Sequence, residues 1–336
     1  MTLPKINLSI NPSYHCNFRC NWCYLTPEQL GDTKTIDHIR LNDMLSEVQT
    51  HREINHIDLY GGEIGILKKD KLEAITNTIR FYYKDKININ TNLSVIRDEF
   101  LQPDYYISVS WDFHSRQDHI KVRENIKKLP VPFSLIVLLT PTILKDIPAG
   151  HFIQMMKEIK FANPLMQSFE LKPYSSNQAN DHKITDAQFE DYLLDLFHQY
   201  KNHFSIDHSP ERHTRKVTFV NEENVLRSLA KNYNAFSDDH LYITPNGKFA
   251  VLDFDKDNRE YFKELNSFEE YLQWTEKEKK ENISNICRKC EYYGGCLTEH
   301  YRYVENLDNG CNGYKYVLDT YRMRYGKNKI LDLRYG

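Results

Sequence analysis

Read from its amino terminus, the chain alternates short apolar runs with longer stretches of helical spacing. Ile6 to Ile10 predicts a strand. Leu41 to His51 repeats apolar residues every three or four positions, as a helix with one buried face does. His56 to Tyr60 predicts a second strand, stopped by Gly61-Gly62; Lys71 to Tyr83 predicts the next helix and Ile87 to Thr91 the next strand. Further strands are expected at Tyr105 to Trp111, Phe133 to Leu139 and Ser168 to Lys172, with helices at His119 to Leu129 and Ala149 to Ile159. About six β/α units with short connections predict an α/β fold on a parallel sheet. Such sheets are covered on both sides, so these strands are expected to be apolar on both faces.

After Pro173 the rhythm changes. Thr185 to Tyr200, Glu222 to Lys231, Phe268 to Lys280 and Tyr314 to Arg324 predict helices. Pro245-Asn246-Gly247 separates two β-prone runs within Leu241 to Phe254, which predicts a hairpin. The expected division is residues 1–178, 179–240 and 241–336: a β/α part, a helical connection and a smaller α+β part. The polar stretch from Tyr174 to Val220 holds His203, His208 and His213. It reads either as a substrate-recognition segment or as a plain surface connection.

Composition narrows the function classes. Hydrophobic residues make up 40% and charged residues 27%, the balance of a globular enzyme. Net charge is −3 and no Lys/Arg stripe stands out, which gives no push toward nucleic acid. No signal peptide and no run of about 18 apolar residues is visible, so no membrane partner and a cytoplasmic location are expected.

The seven cysteines fall into two tight groups, Cys16, Cys20 and Cys23, then Cys287, Cys290, Cys296 and Cys311. In a reducing compartment such clustering points to metal ligation rather than disulfides. The first group has the spacing C-x3-C-x2-C in the loop after the first strand. Three thiolates on a 4Fe–4S cluster leave one iron open to a chelating small molecule. A partial zinc site with His15 as fourth ligand has the same thiols. The second group could close all four corners of a cluster, or form a zinc ribbon, which also begins C-x2-C.

C-x3-C-x2-C with the aromatic Trp22 before the last cysteine resembles the signature of the radical S-adenosylmethionine (SAM) superfamily. Gly61-Gly62-Glu63, after the second strand, resembles that family's G-G-E motif, which receives the SAM amino group. The resemblance implies a partial (β/α)6 TIM-like barrel with SAM at the C-terminal strand ends. It places Trp22, Gly61, Gly62, Glu63, Asn92, Ser110 and Asp112 among the cofactor-binding residues. The second group resembles a C-terminal SPASM domain reduced to one auxiliary cluster, giving two 4Fe–4S clusters in all. In the hairpin, Leu252 stands where the family pattern has the first inner-cluster cysteine, and Asp253 follows where some relatives carry an acid/base. Asp253 and Tyr24, the residue after Cys23, are the candidate catalytic side chains.

The activity so implied is reductive cleavage of SAM to a 5′-deoxyadenosyl radical. This radical abstracts hydrogen from a ribosomally made peptide, giving a crosslink or an oxidised residue. With all seven cysteines assigned to clusters, no spare thiol remains to return a hydrogen atom, which disfavours epimerisation. The expected partners are a leader-bearing peptide, a flavodoxin or ferredoxin reductant, and a separate leader-binding protein or the chain's own middle region. A small molecule or sugar as substrate is the alternative, and an iron–sulfur electron carrier without SAM chemistry is a third reading.

Overall fold

The computed structural model describes residues 3–173, 184–204, 217–231, 239–252, 261–281, 283–297, 306–307, 310–311 and 313–329. Strand β1 (Lys5–Ile10) leads into a long loop that carries the first three cysteines and helix α1 (Pro27–Gly31). Thr26 caps α1 with a reciprocal capping box: its hydroxyl accepts from Gln29 N, and Gln29 Oε1 accepts from Thr26 N. Then α2 (His38–His51), β2 (Glu53–Leu59), α3 (Lys69–Tyr82), β3 (Ile87–Thr91), β4 (Tyr105–Ser110), α4 (His119–Lys128) and β5 (Phe133–Leu138) follow. Helices α5 (Pro141–Asp146) and α6 (Ala149–Ala162) lead to β6 (Met166–Lys172). All neighbours from β1 to β6 pair in parallel. The mixed α/β architecture and this parallel run are those of a partial TIM-like barrel.

One expectation is corrected. The strands are not apolar on both faces; they alternate. Leu8, Ile57, Leu59, Ile89, Ile107, Leu135 and Phe169 are fully buried or nearly so, on the face that packs with Met44, Ile75, Val122 and Phe152 of the helices. The opposite face carries Asn7, Ser9, Asp58, Asn88, Ser108, Ser134 and Ser168, brought together by register: Ser9 opposes Asp58, Asp58 opposes Asn88, Ser108 opposes Ser134, Ser134 opposes Ser168. A sheet curved into an open barrel packs helices only on its outside. Its inner face therefore needs no continuous apolar layer.

Helix α7 (Asp186–Phe204) packs on α6; β7 (Thr218–Phe219) adds a parallel strand beside β6 and runs into α8 (Val220–Leu229). The expected hairpin is β8 (His240–Ile243) and β9 (Phe249–Leu252), turned by Gly247 at φ +70°. Strand β8 pairs in parallel with β1. With β10 (Phe262–Leu265) beside β9, the result is one ten-stranded sheet in the order β10-β9-β8-β1-β2-β3-β4-β5-β6-β7. A single sheet thus crosses the boundary expected at residue 241. Helix α9 (Phe268–Glu281), the short α10 (Asn285–Arg288), the ribbon β11 (Asn306–Leu307) with β12 (Gly310–Cys311), and α11 (Lys315–Lys329) follow among the described residues. Among the described residues, no helix is long and apolar enough to cross a membrane.

Candidate active site

Parallel strands deliver their loops to one end of the sheet, and the candidate residues gather there. Tyr60 N bonds to Ile10 O at 3.0 Å, continuing the β1–β2 pairing past the strand ends. Gly62 N then bonds to Ser13 O at 3.0 Å and Glu63 N to His15 O at 2.8 Å. The cysteine loop therefore lies directly on the Gly61–Glu63 segment. A Cβ on Gly62 would stand 2.1 Å from His15 O, and one on Gly61 would stand 2.6 Å from Ser13 O. Gly61 also has φ +149°. The two glycines leave room for the backbone that carries Cys16.

Glu63 is buried, and its carboxylate is anchored to the protein. Oε1 accepts from Gly65 N at 2.7 Å and Thr91 Oγ1 at 2.5 Å, and Oε2 accepts from Asn92 N at 2.6 Å. Burial raises its pKa, against these three donors. Glu63 thus ties the end of β2 to the end of β3. Asn92 continues the tie: its Nδ2 donates to Asn17 Oδ1 at 3.1 Å and approaches Cys16 Sγ at 3.9 Å. Arg19 braces the loop through Cys16 O at 2.5 Å and Phe18 O at 2.8 Å.

The three thiols lie within electrostatic reach of one another. Burial pushes Cys16 up to about 11 and Cys23 up to about 12, and raises Cys20 as well. Arg116, which the sequence reading missed, opposes that rise at all three. Its Nε donates to Asp112 Oδ2 at 2.9 Å, its Nη2 donates to the same oxygen, and Asp112 Oδ1 accepts from Leu138 N at 2.6 Å. Asp112 therefore positions the guanidinium instead of lying free for a ligand. The signal available was the carboxylate–guanidinium spacing of four residues just past β4. Ser110 is the last residue of β4, opposite Ile136 of β5, and Trp22 is buried in the loop between Cys20 and Cys23.

Tyr24 is interior, its hydroxyl 3.2 Å from Gly61 O and 3.5 Å from Asn11 Oδ1, its ring 4.4 Å from that of Tyr261. This supports the glycine turn from below. Among the described residues, two buried polar atoms here, Asn11 Nδ2 and His15 Nδ1, have no hydrogen-bond partner. Orphaned groups at the strand ends are what a bound polar ligand completes.

The second group comes together across the C-terminal part. Cys287 is buried in α10, and Cys290 N bonds to Cys287 O at 3.0 Å. Burial first, then the neighbouring Cys296, Cys311 and Cys290, pushes Cys287 up to about 12. The thiols of Cys290, Cys296 and Cys311 thus lie within electrostatic reach of Cys287. Asp253, His208 and His213, and the side chain of His203, lie outside the described residues. Among the described residues no three His, Cys, Asp or Glu side chains converge on the point a single metal ion would occupy. Thiolates of an iron–sulfur cluster each take a different iron, so they sit around the cluster and need not meet at one point.

No protein-family model matches the chain, and no curated protein matches it by sequence. Solved structures do. The protein anSMEcpe, solved with AdoMet and a peptide called Cp18Cys, matches over 98% of this chain and 99% of its own, with TM-score 0.66 and 16% identity. SuiB of Streptococcus suis, solved with the precursor peptide SuiA, matches over 88% of this chain and 72% of its own, with TM-score 0.57 and 16% identity. The fold is the one these two proteins share. At such identity the likeness reaches the arrangement of elements, and the site must be argued from its own residues.

Proposed function

We propose that this chain is a radical SAM enzyme that modifies a ribosomally made peptide. The carrying observation is that one buried and two half-buried thiols, a Gly-Gly-Glu turn and a half-buried guanidinium meet at the C-terminal ends of β1 to β4. That meeting occurs in a fold shared with one protein solved with AdoMet and another solved with a precursor peptide.

Cys16, Cys20 and Cys23 would hold a 4Fe–4S cluster, and Cys287, Cys290, Cys296 and Cys311 a second one. When bound, the first cluster and SAM supply a 5′-deoxyadenosyl radical. The protein's part is placement. Gly61 and Gly62 admit the cysteine loop, and Glu63 and Asn92 lock it to β2 and β3. Arg116, held by Asp112, offsets the negative charge of three thiolates. Asn11 Nδ2 and His15 Nδ1, unpaired among the described residues, are atoms that a ligand's polar groups would meet; Ser110 and Trp22 line the same end. We read residues 1–178 as the radical SAM part, 179–240 as a connection and 241–336 as the auxiliary-cluster part. The product is a crosslink or an oxidised residue, with a flavodoxin or ferredoxin as reductant.

The test is direct. Anaerobically reconstituted protein should carry about eight irons per chain, two cubanes' worth. With dithionite and SAM it should release 5′-deoxyadenosine, and the release should quicken with the peptide encoded beside its gene. Mass spectrometry of that peptide after co-expression should show a mass loss. A reduced, iron-loaded protein that leaves SAM intact would end the proposal.

A further inference from the structure

The inner face of the sheet carries chemistry that the cluster site does not use. Register sets His240, Asn7 and His56 in one row across β8, β1 and β2, and Tyr242, Ser9 and Asp58 in the next. His56 Nε2 lies 3.1 Å from Asp58 Oδ1, and Asn88 Nδ2 donates to the same oxygen at 2.5 Å. Ser108 Oγ donates to Asn88 Oδ1 at 2.9 Å, so a hydrogen-bonded chain runs Ser108–Asn88–Asp58–His56. On the other side, His240 Nε2 is 2.8 Å from Ser9 Oγ.

This chain fixes a tautomer. An ionised carboxylate only accepts, so the neutral imidazole of His56 carries its proton on Nε2 and keeps a lone pair on Nδ1. Nδ1 makes no hydrogen bond among the described residues. Exposure separates the two partners: the Asp58 side chain is 18% accessible and that of His56 42%. The carboxylate is tucked in and the imidazole reaches outward. The hydrogen bond to Asp58 raises the His56 pKa, with burial opposing. Burial alone would raise Asp58, but His56, Asn88 and the charge of His240 hold it below its usual value. Tyr60, one residue past the end of β2 and on the same face as His56, lies about 13 Å of extended chain away, where the Gly61–Glu63 turn begins.

Both products named above make the same demand. Once the substrate C–H bond has broken homolytically, its hydrogen goes to the deoxyadenosyl carbon and one electron stays on the substrate carbon. To form a new bond, a neighbouring X–H must break heterolytically. Its electron pair and the unpaired electron make three; two become the new bond and one leaves for an iron–sulfur electron acceptor. The proton needs a base. We infer that His56, oriented by Asp58, is that base, taking the X–H proton on Nδ1. Asp58 is the positioning residue, and Asn88 and Ser108 hold Asp58. This inference rests on the peptide-modifying reading.

The experiment uses reconstituted holoenzyme and, as probe, the deuterated peptide encoded beside the gene. It reads the ratio of modified peptide to deuterium-labelled 5′-deoxyadenosine. His56→Gln keeps an amide donor for Asp58 and removes the base. The ratio should fall about 100-fold, the scale of a lost general base. Asp58→Asn should lower it less, and imidazole should restore it in His56→Gly. A ratio unchanged in His56→Gln, or unchanged in both Asp58→Asn and imidazole-treated His56→Gly, overturns the assignment. Wild-type protein that releases no 5′-deoxyadenosine, or releases it without deuterium and leaves the peptide unmodified, instead overturns the radical SAM reading beneath it.

Discussion

At Gly62 a missing carbon decides where a cysteine goes. The space a side chain would fill holds the carbonyl oxygens of Tyr14 and His15, at 2.3 and 2.1 Å. These are backbone atoms, so no rotamer change relieves the contact. Gly62→Ala should therefore push the Cys16 loop off β2, at about 1–3 kcal/mol in stability, the usual range for overpacking. Urea unfolding and iron content read both effects: the variant should denature earlier and bind several-fold less iron, and wild-type iron loading would refute the clash. Gly-Gly-Glu was read for its approach to a ligand, while the structure shows it first making room for its own chain. Arg116 went unseen because its four-residue spacing from Asp112 is a common local pattern; folding brings the pair within electrostatic reach of Cys20.

The strands teach a similar lesson at the level of elements. Ile87-Asn-Ile-Asn-Thr spells out alternation in its letters, with Ile87 and Ile89 buried and Asn88 and Asn90 less so. The β/α rhythm suggested a sheet covered on both sides, and that prior outweighed the letters. Strands, helices and the hairpin were legible because periodicity and turn residues are local. The pairing of β8 with β1 was not, because no local signal marks a partner more than 200 residues away. Helix α7 holds a second element-scale feature. Glu190 is buried on it, and desolvation, with the nearby Asp186 and Asp191, pushes its pKa up to about 8. The unfolded chain gives up that proton near the ordinary glutamate value, and the folded chain holds it until about 8. Unfolding therefore releases a proton in this window, and stability drains as pH rises through it. Glu190→Gln should change little at pH 5 and gain on the order of 3 kcal/mol at pH 8. Urea midpoints at the two pH values check this; equal gains at both would refute it.

At the scale of the whole molecule, the C-terminal part is stitched to the barrel. Arg40 Nε donates to Gly247 O at 3.0 Å, Lys34 Nζ to Asn246 Oδ1 at 2.9 Å, and Tyr14 and Tyr24 pack on Phe262. A chain cut after residue 239 would uncover the edge of β1, a bare row of amides and carbonyls. Such a fragment should aggregate or elute well above its monomer size in gel filtration, while the full chain does not; a well-behaved monomeric fragment would contradict the sheet order.

The same edge sets a timetable during synthesis. The first strand leaves the ribosome early, yet one of its two hydrogen-bonded neighbours, His240–Ile243, is made more than two hundred residues later. At about 5–20 residues per second, that gap lasts on the order of ten seconds or longer. Throughout that interval the strand leading to Cys16 has one flank open. Under the proposed function, lasting insertion of iron and sulfide at Cys16 is expected after translation, once the last strands have arrived.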